Sequence, residues 1–193
     1  MKKRFMVVVF TALGTALVCT AFIPTGSSAP STGPATAAAA FSEAIAVINP
    51  ASGSTCKGLV RFAQDGATVK VIADLEGLTP GKHGFHIHEF GDCSATDGTS
   101  AGSHYDSEGT KHHGMPHETM KHSGDLGNIE ADADGKAHYE ATIRGISIMG
   151  DQGPIIGRGV IVHAKPDDGG QPVGNAGGRV GCGVIGIMKP IAK

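Results

Sequence analysis

Short apolar runs separated by glycine-rich and polar turns extend along most of the chain, and this pattern predicts β-strands. The runs are roughly five to eight residues long, which suits strands better than helices. Asp65-Gly66 and Asp134-Gly135 each lie between two runs and are typical of hairpin turns. The predicted strands cover residues 43–48, 57–62, 68–75, 84–88, 128–133, 137–143, 159–163 and 180–187. We therefore expect an all-β sandwich or barrel of about eight strands.

Two long segments without a strand pattern interrupt this series, at residues 91–124 and 169–178. Connections of that length are uncommon in a compact domain unless they have a function. We therefore expect two long functional loops.

The N-terminus has a different pattern from the rest of the chain. Three basic residues at positions 2–4 precede an apolar run at 5–23, which is typical of a secretory signal. The run is also long enough to span a bilayer, so residues 1–24 are either a cleaved signal peptide or a retained anchor. Cys19 resembles a lipoprotein cysteine, but Val18 is a poor residue before such a cleavage point, which favours a small apolar residue within the signal.

Residues 25–41 are rich in Ala, Pro, Ser, Thr and Gly and show no periodicity. Such a segment cannot bury a core, so it predicts a flexible linker. The folded domain should then occupy residues 42–193.

Composition and charge exclude some functions. The chain has 193 residues, 30 glycines, 5% aromatic residues and a formal net charge of −2. Because it is not strongly basic, nucleic acid is not an expected partner. Without the basic residues at 2–4, the 16 Lys+Arg fall to 13 against 18 Asp+Glu, so the exported part would carry −5.

The first candidate chemistry lies in the predicted strand 84–88. Side chains alternate between the faces of a strand, so His86 and His88 project together, while the apolar residues beside them point into the core. By the same alternation His163, at the end of a later strand, also points outward. Imidazole is a good ligand for copper or zinc, and two rings side by side suit a single metal ion.

A second cluster of metal-binding residue types lies in the long segment 91–124 and just after it. His104, His113 and His122 are separated by eight residues each, and Asp125 follows after two more. Three imidazoles and a carboxylate are typical of a tetrahedral zinc site without an open position. Such a site would fix a segment that has too few apolar residues to fix itself.

Several motifs, taken in order, resemble those of the copper/zinc superoxide dismutase family, of the exported bacterial type. They span about residues 42–193, and their common order is more specific than any one of them. The motifs are Gly84-Phe85-His86-Ile87-His88-Glu89-Phe90-Gly91-Asp92, Ala101-Gly102-Ser103-His104, His122-Ser123-Gly124-Asp125-Leu126-Gly127-Asn128, Gly157-Arg158 with Val162-His163, and Gly174-Asn175-Ala176-Gly177-Gly178-Arg179 followed by Cys182-Gly183-Val184-Ile185-Gly186. The resemblance implies an antiparallel Greek-key barrel and an enzyme that disproportionates superoxide to dioxygen and hydrogen peroxide by Cu(II)/Cu(I) cycling, which would protect the cell envelope from oxidative damage.

The resemblance also implies one copper and one zinc ion per subunit, with one histidine shared between them. The implied copper ligands are His86, His88, His104 and His163, and the implied zinc ligands are His104, His113, His122 and Asp125. Asp167 would hydrogen-bond to one copper and one zinc ligand, His86 and His113. Arg179 would attract and position the superoxide anion. His104 would take up and donate a proton as the bridge opens and closes, so the implied catalytic residues are His104 and Arg179.

Some neighbouring residues compete for these roles. We prefer His113 to His112 because His113-Gly114-Met115-Pro116 matches the family's His-Gly-x-Pro, and Asp168 competes with Asp167 in the same way. The remaining histidines are predicted to be ordinary surface or hydrogen-bonding residues; these are His83, His112, His117 and His138.

The cysteines fit an exported protein. Cys93 follows the first ligand strand and Cys182 lies in the last strand, and a disulfide between them, which agrees with the resemblance, would staple the long loop to the barrel near Arg179. Cys56 is left either as a lone thiol or as an intermolecular bridge.

The chain also departs from the animal members of the family. Cys93 is closer to His88, and the loop 166–178 is short and lacks their acidic, lysine-bearing segment. A domain of charge −5 repels superoxide at long range, so we expect local attraction by Arg179, the metals and nearby lysines, and a rate that falls as ionic strength rises. Export leaves the periplasm, the cell envelope and the extracellular space as compartments. A homodimer and a membrane tether through the N-terminal segment are both compatible with the sequence.

Two other functions are open from the sequence alone. One is a non-catalytic metal-binding domain, such as a copper-sequestering protein, and the other is an interaction module that uses the fold as a scaffold. A non-catalytic relative should have lost a copper ligand or Arg179, whereas this chain retains them all. An interaction module would have no reason to keep seven liganding positions.

Overall fold

The computed structural model describes residues 41–189, so the predicted signal peptide and nearly all of the predicted linker lie outside the described part. Eight strands and one short 3₁₀ helix make up its regular structure. The strands are β1 (Glu43–Pro50), β2 (Lys57–Asp65), β3 (Thr68–Glu76), β4 (Gly81–His88), β5 (Asp125–Ala131), β6 (Ala137–Ile143), β7 (Gly159–His163) and β8 (Arg179–Ile187), and the 3₁₀ helix is Thr99–Ala101. Between residues 41 and 189 we find no helix of the length and apolarity needed to cross a membrane.

The strands close into one antiparallel barrel in the order β1-β2-β3-β6-β5-β4-β7-β8. β3 pairs with β6 instead of with β4, and β4 pairs with both β5 and β7. β8 pairs with β1 and so closes the barrel, which leaves no free sheet edge. The predicted eight-stranded Greek-key barrel is confirmed.

Apolar side chains at alternate positions along the strands fill the barrel interior. β3 follows it most regularly, since Val69, Val71, Ala73 and Leu75 are buried and the residues between them are more exposed. Each large apolar side chain buried in this way contributes about 1.5–3 kcal/mol to folding. The result is a packed wall on whose outer face polar side chains can be held in fixed positions.

β4 and β7 differ from most of the other strands because both of their faces are buried. Phe85 and Ile87 face the core, as the alternation predicts, while His86 and His88 are buried on the opposite face beneath the loops. Register shifts lie at Gly84/His86 in the β4–β5 pairing and at Val162/His163 in the β7–β8 pairing. Such bulges change the direction of a side chain, and here each one adjoins a histidine of the outer face.

The strand boundaries agree best with prediction for β6 and β7 and least for β5. β5 begins at Asp125 instead of at residue 128 and ends at Ala131 instead of at 133. It begins early because Asp125 pairs with His86 across the bulge. It ends early because the Asp132 amide donates to the Lys136 carbonyl and starts the hairpin turn.

The predicted disulfide between Cys93 and Cys182 is confirmed, and it closes a loop of 89 residues. It packs with Ala101 and Ile161, and so joins the long loop to β7 and β8. Cys56 is free and fully buried in the core. Burial raises the pKa of Cys56 to about 12, so the thiol stays protonated and inert, which favours the lone-thiol interpretation over an intermolecular bridge.

Candidate metal centre

Four buried histidine rings meet on the outer face of the barrel. β4 supplies His86 and His88, β7 supplies His163, and His104 is brought in from the long loop by a backbone bridge to His88. One ligand-type atom from each ring lies within 4.8 Å of those from the other three. We call these four residues the copper group, after the role predicted for them.

Three rings of the copper group are oriented by a hydrogen bond from one ring nitrogen. The contacts are His86 Nε2 to Asp167 Oδ2 (2.8 Å), His88 Nδ1 to the Gly102 carbonyl (3.0 Å) and His163 Nδ1 to the Gly177 carbonyl (3.1 Å). Because each acceptor requires an N–H on the nitrogen that faces it, the other ring nitrogen carries a free lone pair. The tautomer of each ring is therefore fixed with its lone pair available.

The other ring nitrogens of these three residues, together with one ring nitrogen of His104, are buried and have no hydrogen-bond partner among the described residues. They are His86 Nδ1, His88 Nε2, His104 Nε2 and His163 Nε2. A buried polar atom without a partner costs free energy, and four such lone pairs directed at one region are what a bound cation would satisfy. Four imidazole nitrogens suit Cu(II), so the residues fit this metal.

Burial also keeps the copper group in the form that binds metals. It lowers the pKa of His86 to about 3 and that of His163 to about 4, and it holds the pKa of His88 well below its ordinary value. These rings are therefore neutral at physiological pH. Neutral imidazole is the form that donates to a metal.

A second group of side chains surrounds Asp125, which is completely buried. Its Oδ2 accepts the backbone amides of Gly114 (3.0 Å) and His122 (2.8 Å), which fixes the carboxylate. Its Oδ1 then faces three imidazole Nδ1 atoms, those of His104 at 2.7 Å, His113 at 3.0 Å and His122 at 3.3 Å. We call His104, His113, His122 and Asp125 the zinc group.

The zinc group has the donor set and the charge that a structural zinc ion requires. Burial opposes ionisation of Asp125, but the nearby rings of His104 and His113 and the Gly114 amide outweigh it and hold the pKa of Asp125 well below its usual range. Three imidazoles and one ionised carboxylate within 4.8 Å of one another match tetrahedral zinc coordination. These residues therefore fit this metal.

His104 belongs to both groups. Its Nδ1 is directed at Asp125 in the zinc group, while its Nε2 is unpartnered and belongs to the copper group. Its ring centroid lies 4.1 Å from that of His86 and 5.2 Å from that of His113. A single imidazole with one nitrogen on each side is the geometry needed to join two metal ions.

Asp167 links the two groups through their other ring nitrogens. Its Oδ2 accepts from His86, and its Oδ1 accepts from His113 Nε2 at 2.9 Å. Asp168, its competitor in the sequence, is exposed and bonds within its own loop instead. In the same way, the structure brings His113 and not its neighbour His112 into contact with Asp125.

Arg179 begins β8 and lies beside the copper group. Its Nη1 donates to the Gly98 carbonyl and its Nη2 to the Gly102 carbonyl, both at 2.6 Å. The Gly102 carbonyl also accepts from His88 Nδ1, so one backbone atom orients both the arginine and a copper-group ring. Burial lowers the pKa of Arg179, and the nearby Asp97 carboxylate works against that shift.

Two residues that support the site were not predicted from the sequence. The side-chain amide of Asn128 bonds to the backbone of Asp167, and that of Gln171 bonds to the backbone of His113. The partners are 39 and 58 residues apart in the chain, and no spacing rule connects them. His83, predicted to be an ordinary hydrogen-bonding residue, is buried and lies with its Nδ1 2.8 Å from the His163 carbonyl.

The fold and the site together define a β-barrel metalloprotein with two adjoining metal groups on the outer wall. Comparison with known proteins identifies the family. The family model described as copper/zinc superoxide dismutase (SODC) matches residues 56–185. This chain therefore belongs to the copper/zinc superoxide dismutase family, and it is a superoxide dismutase.

Similar proteins support the same assignment. The chain is 43% identical over 155 residues to the extracellular superoxide dismutase [Cu-Zn] of Brugia pahangi, a match that covers 75% of each chain. It is 45% identical over 157 residues to the superoxide dismutase [Cu-Zn] of Onchocerca volvulus, covering 75% of this chain and 95% of the relative. Among solved structures, a crystal structure of the clock protein EA4 matches with a TM-score of 0.69 and 43% identity, over 77% of this chain and 96% of that one.

Proposed function

We propose that each subunit binds one copper ion through the copper group and one zinc ion through the zinc group, and disproportionates superoxide at the copper side. The observation that carries this proposal is the convergence of four buried, unpartnered imidazole nitrogens, one of them on a ring shared with the zinc group. When bound, copper supplies one-electron redox chemistry, while zinc keeps one oxidation state and supplies charge and rigidity.

His104 is the proposed proton carrier. Hydrogen peroxide leaves with two protons, so a group beside the reacting oxygen must be able to give one up. His104 Nε2 has no hydrogen-bond partner among the described residues, and burial lowers the pKa of this ring, so a proton held at that atom is readily donated. The contact of His104 Nδ1 with Asp125 keeps the ring in one orientation while the proton is held and released.

Arg179 is the proposed binding residue for the superoxide anion. The contacts to Gly98 and Gly102 use only part of the donor capacity of its guanidinium, which carries five N–H groups in total. The remaining N–H groups and the positive charge can attract and orient a small anion. Because both carbonyls hold the side chain in place, little rotamer entropy is lost when the anion binds.

Local attraction must overcome the negative charge of the domain. Lys165 is a candidate contributor, because its side-chain stem packs over Gly177, whose carbonyl orients the His163 ring. The stem of Lys165 thus lies against a residue that orients a ring of the copper group. The loop between residues 166 and 178 is short and lacks the lysine-bearing segment of the animal enzymes. We therefore assign the steering of superoxide to two positive groups, Arg179 and Lys165.

A superoxide-consumption assay on metal-loaded protein tests this function. We expect His163→Ala to lose activity, because His163 contributes one of the four converging nitrogens. His138→Ala is the matched control, since His138 is an exposed histidine paired with Asp74. Activity that survives His163→Ala would refute the copper assignment, and uptake of zinc without copper after copper loading would favour a non-catalytic metal-binding protein.

We also propose that the protein works outside the cytoplasm, in the periplasm, the cell envelope or the extracellular space. The basic start, the apolar run at 5–23, the Cys93–Cys182 disulfide and the extracellular relative all support export. Fractionation of cells that express the full chain tests this proposal. A chain lacking residues 1–24 should stay in the cytoplasm, and equal export of both chains would contradict it.

A homodimer is proposed through the exposed apolar side chains of Phe90 and Val184, which are 56% and 44% exposed. A Cβ on Gly91 would lie 2.8 Å from Val184 Cγ1, so the turn after β4, which carries Phe90, packs against β8 at Val184. A second copy would bury them. Sedimentation should show that the wild-type protein is a dimer. Val184→Lys should dissociate it, whereas Met120→Lys, which changes another exposed apolar residue, should not. A monomeric wild-type protein would refute the dimer.

A further inference from the structure

Gln171 makes a reciprocal pair of hydrogen bonds with the backbone of His113. The His113 amide donates to Gln171 Oε1 at 2.9 Å, and Gln171 Nε2 donates to the His113 carbonyl at 2.7 Å. The side-chain amide thus satisfies both backbone polar groups of one residue, as a neighbouring strand would. It fastens the loop 169–178 directly to a residue of the zinc group.

The ring of His113 is held from the same loop region by a second connection. Asp167 Oδ1 accepts from His113 Nε2, and the backbone of Asp167 is fixed by Asn128, which donates to its carbonyl at 2.9 Å and accepts from its amide at 2.8 Å. His113 is therefore fixed at its ring through Asp167 and at its backbone through Gln171. Both connections start from residues outside the predicted ligand set.

His113 needs this support because its own segment has little regular structure. Between the end of the 3₁₀ helix and the start of β5 the chain forms no strand or helix, and of the two preceding residues Lys111 is exposed and His112 is half-buried. The opposing loop comes so close that a Cβ on Gly174 would lie 2.1 Å from Asp167 Oδ1 and 2.7 Å from His113 Nε2. With φ at 75°, Gly174 is the residue that permits this approach.

We propose that Gln171 is a positioning residue for the zinc group: it holds the His113 backbone so that the ring is already in place when zinc binds. This inference rests on the proposed zinc ligand set. Groups that orient metal ligands typically change metal affinity by about 10- to 100-fold when they are removed. We expect a loss of that size for zinc and little change for copper, because His113 is not part of the copper group.

The test compares Gln171→Met with Gln152→Met on the full chain. Methionine keeps the length of the side chain and removes both hydrogen bonds, and Gln152 is an exposed glutamine in another loop. Zinc and copper dissociation constants are measured by chelator competition, and Co²⁺ replaces zinc to report the coordination geometry by its visible absorption. We expect weaker zinc binding and a changed Co²⁺ spectrum for Gln171→Met only.

A third variant separates failure of this inference from failure of the proposed function. His113→Ala should weaken zinc binding more than Gln171→Met does; if it does not, the zinc ligand set is wrong. If His113→Ala weakens zinc binding while Gln171→Met leaves it within threefold of wild type, the positioning role is refuted. An equal loss of zinc and copper affinity in Gln171→Met would indicate general damage and would refute it as well.

Discussion

The two metal groups are neighbours, yet the chain builds them by different means. Three of the four copper-group rings are attached to strands of the barrel, whereas three of the four zinc-group side chains lie before β5 in the long segment without strands. The copper-group rings are oriented mainly by backbone carbonyls and by bulges. The zinc group is oriented by Asp125 and by the side-chain amides of Gln171 and, through Asp167, of Asn128. One group is fixed by the barrel, and the other depends on tertiary contacts between loops.

This difference indicates which metal should have the larger effect on structure. The barrel fixes the copper group through ladder hydrogen bonds and core packing, so copper would enter a site that already exists without it. The segment 105–124 has few apolar side chains to hold it by packing. The zinc group would hold it instead, so zinc binding should order that segment. We therefore expect the redox chemistry on the copper side and the structural ordering on the zinc side.

Zinc removal should have the largest effect predicted by this comparison. A ligand at 100 times its dissociation constant stabilises the bound form by about 2.7 kcal/mol, so amides in 105–124 should exchange about 100-fold faster without zinc. The strands β4 and β7 should keep their protection. Hydrogen-exchange mass spectrometry of the metal-free, copper-only and zinc-only forms measures this. If copper alone restored the protection of the amides in 105–124, then copper and not zinc would be the metal that orders this segment.

The same difference explains how much the sequence predicts. The barrel and the candidate copper residues follow from alternation, because a strand fixes which side chains share a face; β7 was predicted residue for residue, and His163 lies where alternation puts it. The boundaries of β5 were not predicted, since a buried aspartate and a glycine with φ at 78°, Asp125 and Gly127, break the apolar pattern at its start.

Support for the zinc group could not be predicted because it depends on contacts between residues that are distant in the chain. Asn128 and Gln171 are ordinary polar residues in the sequence, and their role exists only once the loops meet. The grouping of His104, His113, His122 and Asp125 was suggested by their regular spacing, but the shared ring and the Asp167 link were implied only by family resemblance. Loop-to-loop contacts have no periodicity from which they could be read.

Asp167→Ala should have the second-largest effect and should act unequally on the two groups. Loss of a carboxylate that orients ligands typically costs about 10- to 100-fold in metal affinity, and we expect that for zinc. We expect less than tenfold for copper, because His86 is also held by its backbone pairing with β5 and β7. Competition titrations with both metals measure the ratio.

Asp168→Ala is the control for this prediction, since Asp168 is adjacent, exposed and bonded only to its own loop. Both affinities should stay near those of the wild type. If Asp167→Ala weakens copper binding as strongly as zinc binding, the barrel does not fix the copper group independently of the link between the groups.

Arg179→Ala should change the rate without changing the metal content. Positive groups in a cleft raise the association rate of an anion by tenfold or more, so we expect the bimolecular rate constant to fall by about tenfold. Arg179→Lys keeps the charge but cannot hold the Gly98 and Gly102 carbonyls together, so it should be intermediate. Pulse radiolysis with metal analysis tests both variants, and loss of copper in either would mean that Arg179 stabilises the site itself.

The smallest predicted effect comes from Asp97, whose carboxylate acts on the Arg179 guanidinium from an exposed position. Asp97→Asn removes a negative charge beside Arg179, the proposed anion-binding residue, so the rate should rise by about twofold at low salt, a small change because exposed charges are well screened. Added salt should slow both proteins and should reduce the difference between them. Asp92→Asn is the matched control, because Asp92 is an exposed aspartate of the same loop that likewise accepts a backbone amide two residues on. If the two variants behave alike, the net charge of the domain governs the encounter; if only Asp97→Asn is faster, steering is local to Arg179 and acts on the copper side alone.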